Sequence, residues 1–536
     1  MADGPVGYLG NTMTIPLGSL GVMSDVTPGN IPPTALIDAK NVDFGPGYIQ
    51  KAPGSLRYNS ATPLPSPIIA LADYWPSTYV QRTFAACANG SIYRDIGDRL
   101  FTSATAIKTG LGALNVNAQF LVGGNEVAGS TRKLFFYSNG LNLPQVLVGD
   151  AATFAAISAP ATDWTAPNFP KFGLIHRNRH WAFMGTRYYA STTSSHQDFT
   201  SGSILTGTLG PGDGGDIIAG YIYKGKMLIF KEGDVVYFLN DTSTSSSDWY
   251  FAKLGEGFGI ASPHAACQAL DDLLVGNNTG SVTSYQASQN YGDLTSADIF
   301  RGAQVNQYFR DHLSLSGYAP MHTLWYPDKH LVMFTARTLA GTANNAMIML
   351  DIQNPQTPRY SLNTKDAADC LTLRKDQYNV KRPMYGAADG YVYLMDKETR
   401  LVGTSAYTGE FKTPHLDFRH LDPSLAHKNK TFDFLGVTFQ EEGPHNLSVD
   451  VWIDGQFSQT VTYSQVIGTN YLDVFLLGTS VLGIEDEKTS WKPINGTGRR
   501  ISFRCYNAGS NQNFKACQLT VGFTITGEDV TRLAPT

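Results

Sequence analysis

Charge is what this chain has least of. Asp, Glu, Lys and Arg make up 16 % of its 536 residues, where an ordinary soluble domain carries about 25 %. The 40 basic and 45 acidic side chains leave a net charge of −5. The cations are scattered, and no basic run marks a nucleic-acid patch. Tight DNA binding by the chain alone is therefore not expected. A conduit would show the same scarcity, because every Lys or Arg set on a phosphate holds the duplex in place. An 18-residue apolar run is also missing, which excludes a helical membrane span. The start, MADGPVGYLGN, lacks the charged and apolar stretches of a signal peptide. The five cysteines, Cys87, Cys267, Cys370, Cys505 and Cys517, are odd in number and widely spaced. They form no CxxC or zinc pattern and read as reduced, buried thiols of a protein made in a cytosol.

What the chain has instead is 53 Gly, 27 Tyr and 28 Phe. That mixture suits short strands joined by tight turns. It also suits a protein that hides much of its surface in an assembly, since interface cores are poor in charge and rich in aromatics. The length calls for two or three domains. Residues 1–60 are dense in Gly and Pro and read as an extended arm. A short helix is expected over Thr34–Asn41, entered through Pro32-Pro33.

Between 61 and 408 a unit repeats, in which a turn containing Gly or Asn adjoins an aromatic or β-branched strand. The turns fall at 90, 140, 185, 233, 280, 345 and 390, spaced by 50, 45, 48, 47, 65 and 45 residues. A strand-and-turn period of this size is the mark of propeller blades, which bury their faces only by stacking around a closed ring. The reading is an all-β propeller of about six blades, within a range of five to seven. The long interval holds an insertion, with a helix expected over Ser296–Leu313. From 409 to 536 the strands lengthen. Leu447, Val449, Val451 and Ile453 alternate with polar residues, as do Leu519, Val521, Phe523 and Ile525. One apolar face per strand reads as a C-terminal β-sandwich.

Local motifs for catalysis are weak. Gly220–Met227 approaches a phosphate loop but has Met227 where a hydroxyl must bind magnesium. Gly210, Gly212 and Gly215 match GxGxxG without a strand before or a helix after. His176, Arg177, Arg179 and His180 form a basic cluster, read as hydrogen-bonded or exposed side chains beside a strand rather than an anion or metal site. No HExxH and no GxSxG occurs. Asp271-Asp272, Asp366 with Asp369, and Glu485-Asp486-Glu487 could supply paired carboxylates for glycan cleavage if they faced each other across a cleft.

A family resemblance adds to this. Residues 17–57 run from a Gly-rich start through Asp25…Ile31-Pro32 and Asp38-Ala39-x-Asn41-Val42-x-Phe44 to Lys51-x-Pro53-Gly54. This pattern resembles the opening of many phage tail proteins. Residues 177–199 and 257–285 resemble a recurrent blade motif of the same proteins, and 428–455 and 514–527 resemble their terminal β-domain. The chain thus resembles the tail nozzle (tail tubular protein B-like) proteins of short-tailed bacteriophages. The resemblance implies a virion tail protein, made in the host cytoplasm, that forms a homohexameric ring below the tail adaptor protein. The ring would contact tail fibres or spikes, retain the genome, and pass duplex DNA without specific binding during ejection. It implies no enzyme activity, catalytic residue, cofactor or metal. On the arm motif, Ile31, Pro32, Leu36, Asp38, Asn41, Phe44 and Pro53 are expected to touch a neighbouring subunit or the adaptor. The alternative is a glycan-binding or glycan-cleaving propeller acting as a receptor-binding tail part.

Overall fold

The structure is a computed structural model. It describes residues 10–27, 30–59, 62–95, 101–123, 131–200, 202–257, 259–277, 281–286, 297–299, 304–314, 321–355, 357–375, 380–440, 445–465 and 487–528.

The chain is an all-β protein built around a β-propeller. Seven four-stranded antiparallel blades are present among the described residues. Blade 1 runs from Ile68–Ser77 to Phe101–Lys108, blade 2 from Gln119–Val122 to Ala155–Ala156, and blade 3 from Phe172–His176 to Leu205–Thr208. Blade 4 runs from Ile217–Tyr223 to Tyr250–Glu256, blade 5 from Ala266–Ala269 to Ala297–Asp298, and blade 6 from Thr323–Tyr326 to Arg359–Asn363. Blade 7 takes three strands, Cys370–Lys375, Lys381–Gly386 and Val392–Lys397, from late in the chain. Its fourth, Gly54–Arg57, comes from the arm, with Leu56 opposite Leu394. This exchange closes the ring non-covalently and leaves no open end face. Seven lies within the five to seven blades expected from the sequence.

Six of the seven sequence turns fall between the second and third strands of their blades, and the one at 280 lies outside the described residues. Gly90 and Gly390 show why glycine stands there. Both have positive φ, +83° and +78°, and a Cβ on either would lie 2.3 Å from a backbone oxygen of a neighbouring loop, Gly112 or Leu64. First strands of neighbouring blades pack around the axis. Blades 4 and 5 are also joined by Tyr221, whose hydroxyl donates to the Pro263 carbonyl at 2.6 Å and accepts from the Ala266 N–H at 3.1 Å.

The C-terminal part pairs two sheets face to face. One contains Lys488–Gly498, Lys428–Phe439 and Lys515–Glu528, and the arm adds Asn11–Pro16, Val42–Gly45 and Tyr48–Lys51 to it. The other contains Gln456–Gln465, His445–Ile453, Ile501–Asn507, Gly409–Lys412 and the arm strand Asp38–Lys40. Leu447, Val449, Val451, Phe503 and Cys505 meet Leu435, Val437, Leu519, Val521 and Phe523 in one fully buried core. Each such side chain contributes about 1.5–3 kcal/mol by leaving water. Lys40 also pairs with Leu362 of blade 6, so this sheet is continuous with the propeller.

The arm is therefore woven through both bodies. No helix forms over Thr34–Asn41: Ile37 N–H donates to the Lys412 carbonyl at 2.9 Å, and Asp38–Lys40 is a strand. Sheet pairing outweighs a short segment's weak helix preference. The insertion before blade 6 holds the helix Asn306–His312, and Ser296 and 300–303 of the expected helix lie outside the described residues. No helix among the described residues is long and apolar enough to cross a membrane.

Candidate functional site

Every loop leading into a first strand lies at one end of the propeller, because antiparallel order returns the chain there for each blade. At that end His264, before blade 5, stacks on His322, before blade 6, with ring centroids 4.2 Å apart. Each Nε2–H donates across the axis to the loop before blade 2: His264 to the Ala118 carbonyl at 3.1 Å and His322 to the Val116 carbonyl at 2.8 Å. Burial lowers the pKa of His264 to about 4 and holds that of His322 well below its ordinary value. Two neutral rings thus tie the loops before blades 5 and 6 to the loop before blade 2 at this end.

The arm positions separate into two groups. Leu36 is 1 % exposed and Phe44 7 %, both within the chain's own core. Asn41 is equally buried, at φ +53°. Its side-chain carbonyl accepts from Thr364 N–H at 2.7 Å, and its amide donates to the Thr408 carbonyl at 2.8 Å. These three hold the arm to the sandwich and blade 6 from within the chain's own core. Asp38 pairs with Lys40 at 2.8 Å and accepts from the Tyr308 hydroxyl at 2.8 Å. Pro53 is half-buried beside Lys329 and Asp396, between blades 6 and 7. Ile31 and Pro32 are half-buried and line a cleft of about 390 Å³ with Pro33, His415, Asp417, Arg419 and His420.

The basic cluster 176–180 is absorbed by internal bonds. His176 and Arg177 both reach the buried Asp241, at 2.8 and 2.5 Å. Arg179 donates to the Ser191 and Ser203 carbonyls at 2.6 and 2.8 Å. His180 lies between the Tyr137 hydroxyl at 2.5 Å and the His196 carbonyl at 2.8 Å, and burial lowers its pKa to about 3. Gly220–Met227 is a strand, a Lys224-Gly225 turn and a strand.

The carboxylate candidates are dispersed. Asp366 is fully buried, ion-paired with Lys365, and accepts from Ser55 at 2.8 Å and Tyr385 at 3.0 Å. Burial, with Asp389 nearby, lifts Asp369 to about 6. Asp272 accepts from Ser284 Oγ at 2.5 Å. Glu485 and Asp486 lie outside the described residues. No group of three or more His, Cys, Asp or Glu among the described residues could hold a metal ion.

Two surface features were not legible in sequence. Blade 3 has a cleft of about 520 Å³ lined by Asp163, Arg187, Tyr188 and the threonines 200, 206 and 208. Arg187 meets Asp163 at 2.6 Å and is 54 % exposed. The second is the cleft behind Ile31 and Pro32, which Arg419 lines and where Arg500, distant in sequence, acts on His415 and Asp417. Arg419 pairs with Asp417 at 2.7 Å, and Leu416 is bonded to Ile501, the residue after Arg500, at 2.8 and 3.0 Å.

No protein-family model and no curated protein matches the chain. Among solved structures it is similar to an exo-β-1,3-galactanase from Phanerochaete chrysosporium with galactose, at 9 % identity and a TM-score of 0.26, covering 88 % of this chain and 100 % of that one. It is also similar to YCF48 from Cyanidioschyzon merolae, at 10 % identity and a TM-score of 0.35, covering 64 % and 98 % respectively. The expectation of a chain without enzyme activity is corrected by the first of these. Likeness at this identity concerns fold alone and assigns neither substrate nor residue.

Proposed function

We propose that the chain is a ring-forming component of a short-tailed phage virion, the nozzle at the distal end of the tail. The observation that carries this reading is the weave of the arm, the segment on which the resemblance rests. Between residues 11 and 57 it supplies strands to both sandwich sheets and the closing strand of blade 7. Propeller and sandwich are thereby one stiff body suited to bear load. The genome would pass between copies, since His264 and His322 tie each propeller across its axis. A wall poor in cations suits sliding DNA. The tail adaptor and fibres or spikes would be its neighbours. Labelling purified virions with an antibody to this chain and imaging them tests the reading. Label confined to the tail tip is expected; label on capsids, or none, would refute it.

A second reading, a glycan-binding or glycan-cleaving tail part, is favoured by the blade 3 cleft, where an exposed Asp163–Arg187 pair lies beside Tyr188. Glycan-array binding that disappears in Arg187→Ala would establish it.

A further inference from the structure

We infer that the blade 3 cleft binds an uncharged hexose of a glycan, with the Arg187–Asp163 pair and the hydroxyls of Thr206 and Thr208 as its polar contacts. The inference rests on the glycan reading above and names the ligand class of that cleft.

Two strands build the site. Arg187–Ala190 and the outer strand Leu205–Thr208 pair with Arg187 opposite Thr208 and Tyr189 opposite Thr206. Cross-strand partners and residues two apart share one face of a sheet, so these four side chains stand together. Tyr189 belongs to the core that blade 3 shares with blade 2, which marks this face as the one turned toward blade 2. Blade 2's outer strand is only Ala155–Ala156, and among the described residues no strand of blade 2 lines the cleft. The face is left open there. The walls are the segments around Thr162 and Thr200, and they are fixed to each other. Ala159 N–H donates to the Gln197 carbonyl at 3.3 Å, and Phe199 N–H to the Ala159 carbonyl at 2.9 Å. Trp164 backs the floor, its ring 5.4 Å from that of Tyr189 and 4.7 Å from that of Phe199. The cleft is thus preformed. Its volume of about 520 Å³ lies within the usual span of ligand sites, about 300–1,000 Å³.

The lining sets the charge of the ligand. Asp163 and Arg187 are its charged residues, one of each sign and paired at 2.6 Å, so the cleft has no net charge for an anion or a cation. It presents hydrogen bonding of both senses instead. Asp163 Oδ2 accepts from Arg187 and from the Tyr189 hydroxyl, while Oδ1 accepts no bond among the described residues. Arg187 has five N–H donors. With half of its side chain exposed, those beyond the Asp163 bond are open to a ligand. Beside them Thr206 and Thr208 are exposed, and their hydroxyls make no hydrogen bond among the described residues. A donor and an acceptor side by side match two adjacent hydroxyls, each of which both donates and accepts. Adjacent hydroxyls on a neutral ring are what a hexose presents. Tyr188, half-buried in the lining, gives the C–H side of such a ring an apolar surface.

The test is an array of neutral hexose oligosaccharides beside acidic ones, uronates and sialosides, probed with the full chain. Titration calorimetry with the strongest neutral binder then follows. Binding confined to neutral glycans is expected. Arg187→Lys keeps the charge but not the forked donor, and should weaken binding about tenfold or more. Thr206→Val with Thr208→Val removes two hydroxyls at nearly constant shape and should weaken it about threefold or more. Unchanged far-ultraviolet circular dichroism and melting temperature identify variants that remain folded. Binding to acidic glycans alone would overturn the ligand class while the glycan reading stands. Neutral binding that both folded variants leave unchanged would overturn this cleft as the site. If no glycan binds, the inference and the glycan reading both fall.

Discussion

His264 and His322 stack face to face at an interplanar angle of 25°, and both hydrogen-bond to a loop three or four blades away. Only near the axis can loops that far apart in the ring meet. The pair therefore ties the propeller across its diameter, a tie that depends on both rings staying neutral.

This gives a pH dependence. Unfolded, these histidines titrate at the ordinary value of 6.5; folded, burial lowers His264 to about 4 and holds His322 well below its ordinary value. Below 6.5 the unfolded chain takes up protons that the folded chain refuses, so stability is lost as pH falls from 6.5 towards 4. The loss is on the order of 2 kcal/mol. Scanning calorimetry at pH 7 and pH 4.5 should show it. In the double variant H264Q/H322Q, whose amides can still donate, the drop should be clearly smaller. An equal drop would mean that other groups carry it.

Ring closure depends on Gly54. A Cβ there would lie 2.1 Å from the Leu401 carbonyl oxygen and 2.7 Å from Leu401 N, both backbone atoms without room to yield. Gly54→Ala is expected to cost about 3 kcal/mol and to expose the edge of blade 7. Hydrogen exchange should rise first in Val392–Lys397, the strand paired with Gly54–Arg57. Unchanged protection there would show that closure lies elsewhere.

The turns were legible in sequence because Gly and Asn recur between second and third strands, and Gly90, Gly140, Gly185 and Gly390 take positive φ there. The blade count was harder to read. Blade 7 borrows Gly54–Arg57 from more than 300 residues away, and the helix Asn306–His312 stretches the interval before blade 6. The arm misled for a related reason. Thr34–Asn41 has local helix signals, but its hydrogen bonds go to Lys412 and Leu362, which only the folded chain brings near. Leu36, Asn41 and Phe44 carry the arm pattern through internal packing. Ile31 and Pro32 alone of the seven reach the basic cleft, whose cations lie apart in sequence until the sandwich gathers them.

Blades 4 and 5 share the Tyr221 hydroxyl. Tyr221→Phe removes its bonds to Pro263 and Ala266 and leaves a buried carbonyl and N–H unpaired. A loss of about 1–3 kcal/mol is expected in urea unfolding. A change under about 0.5 kcal/mol, the size of an ordinary surface substitution, would mean that the seam is held by packing alone.

The account rests on assembly, and electron micrographs of the purified full chain at micromolar concentration test that most directly. Class averages should show closed rings with six-fold symmetry and an open lumen between the propellers. A field of single propellers that never join, at low or high concentration, would contradict the account.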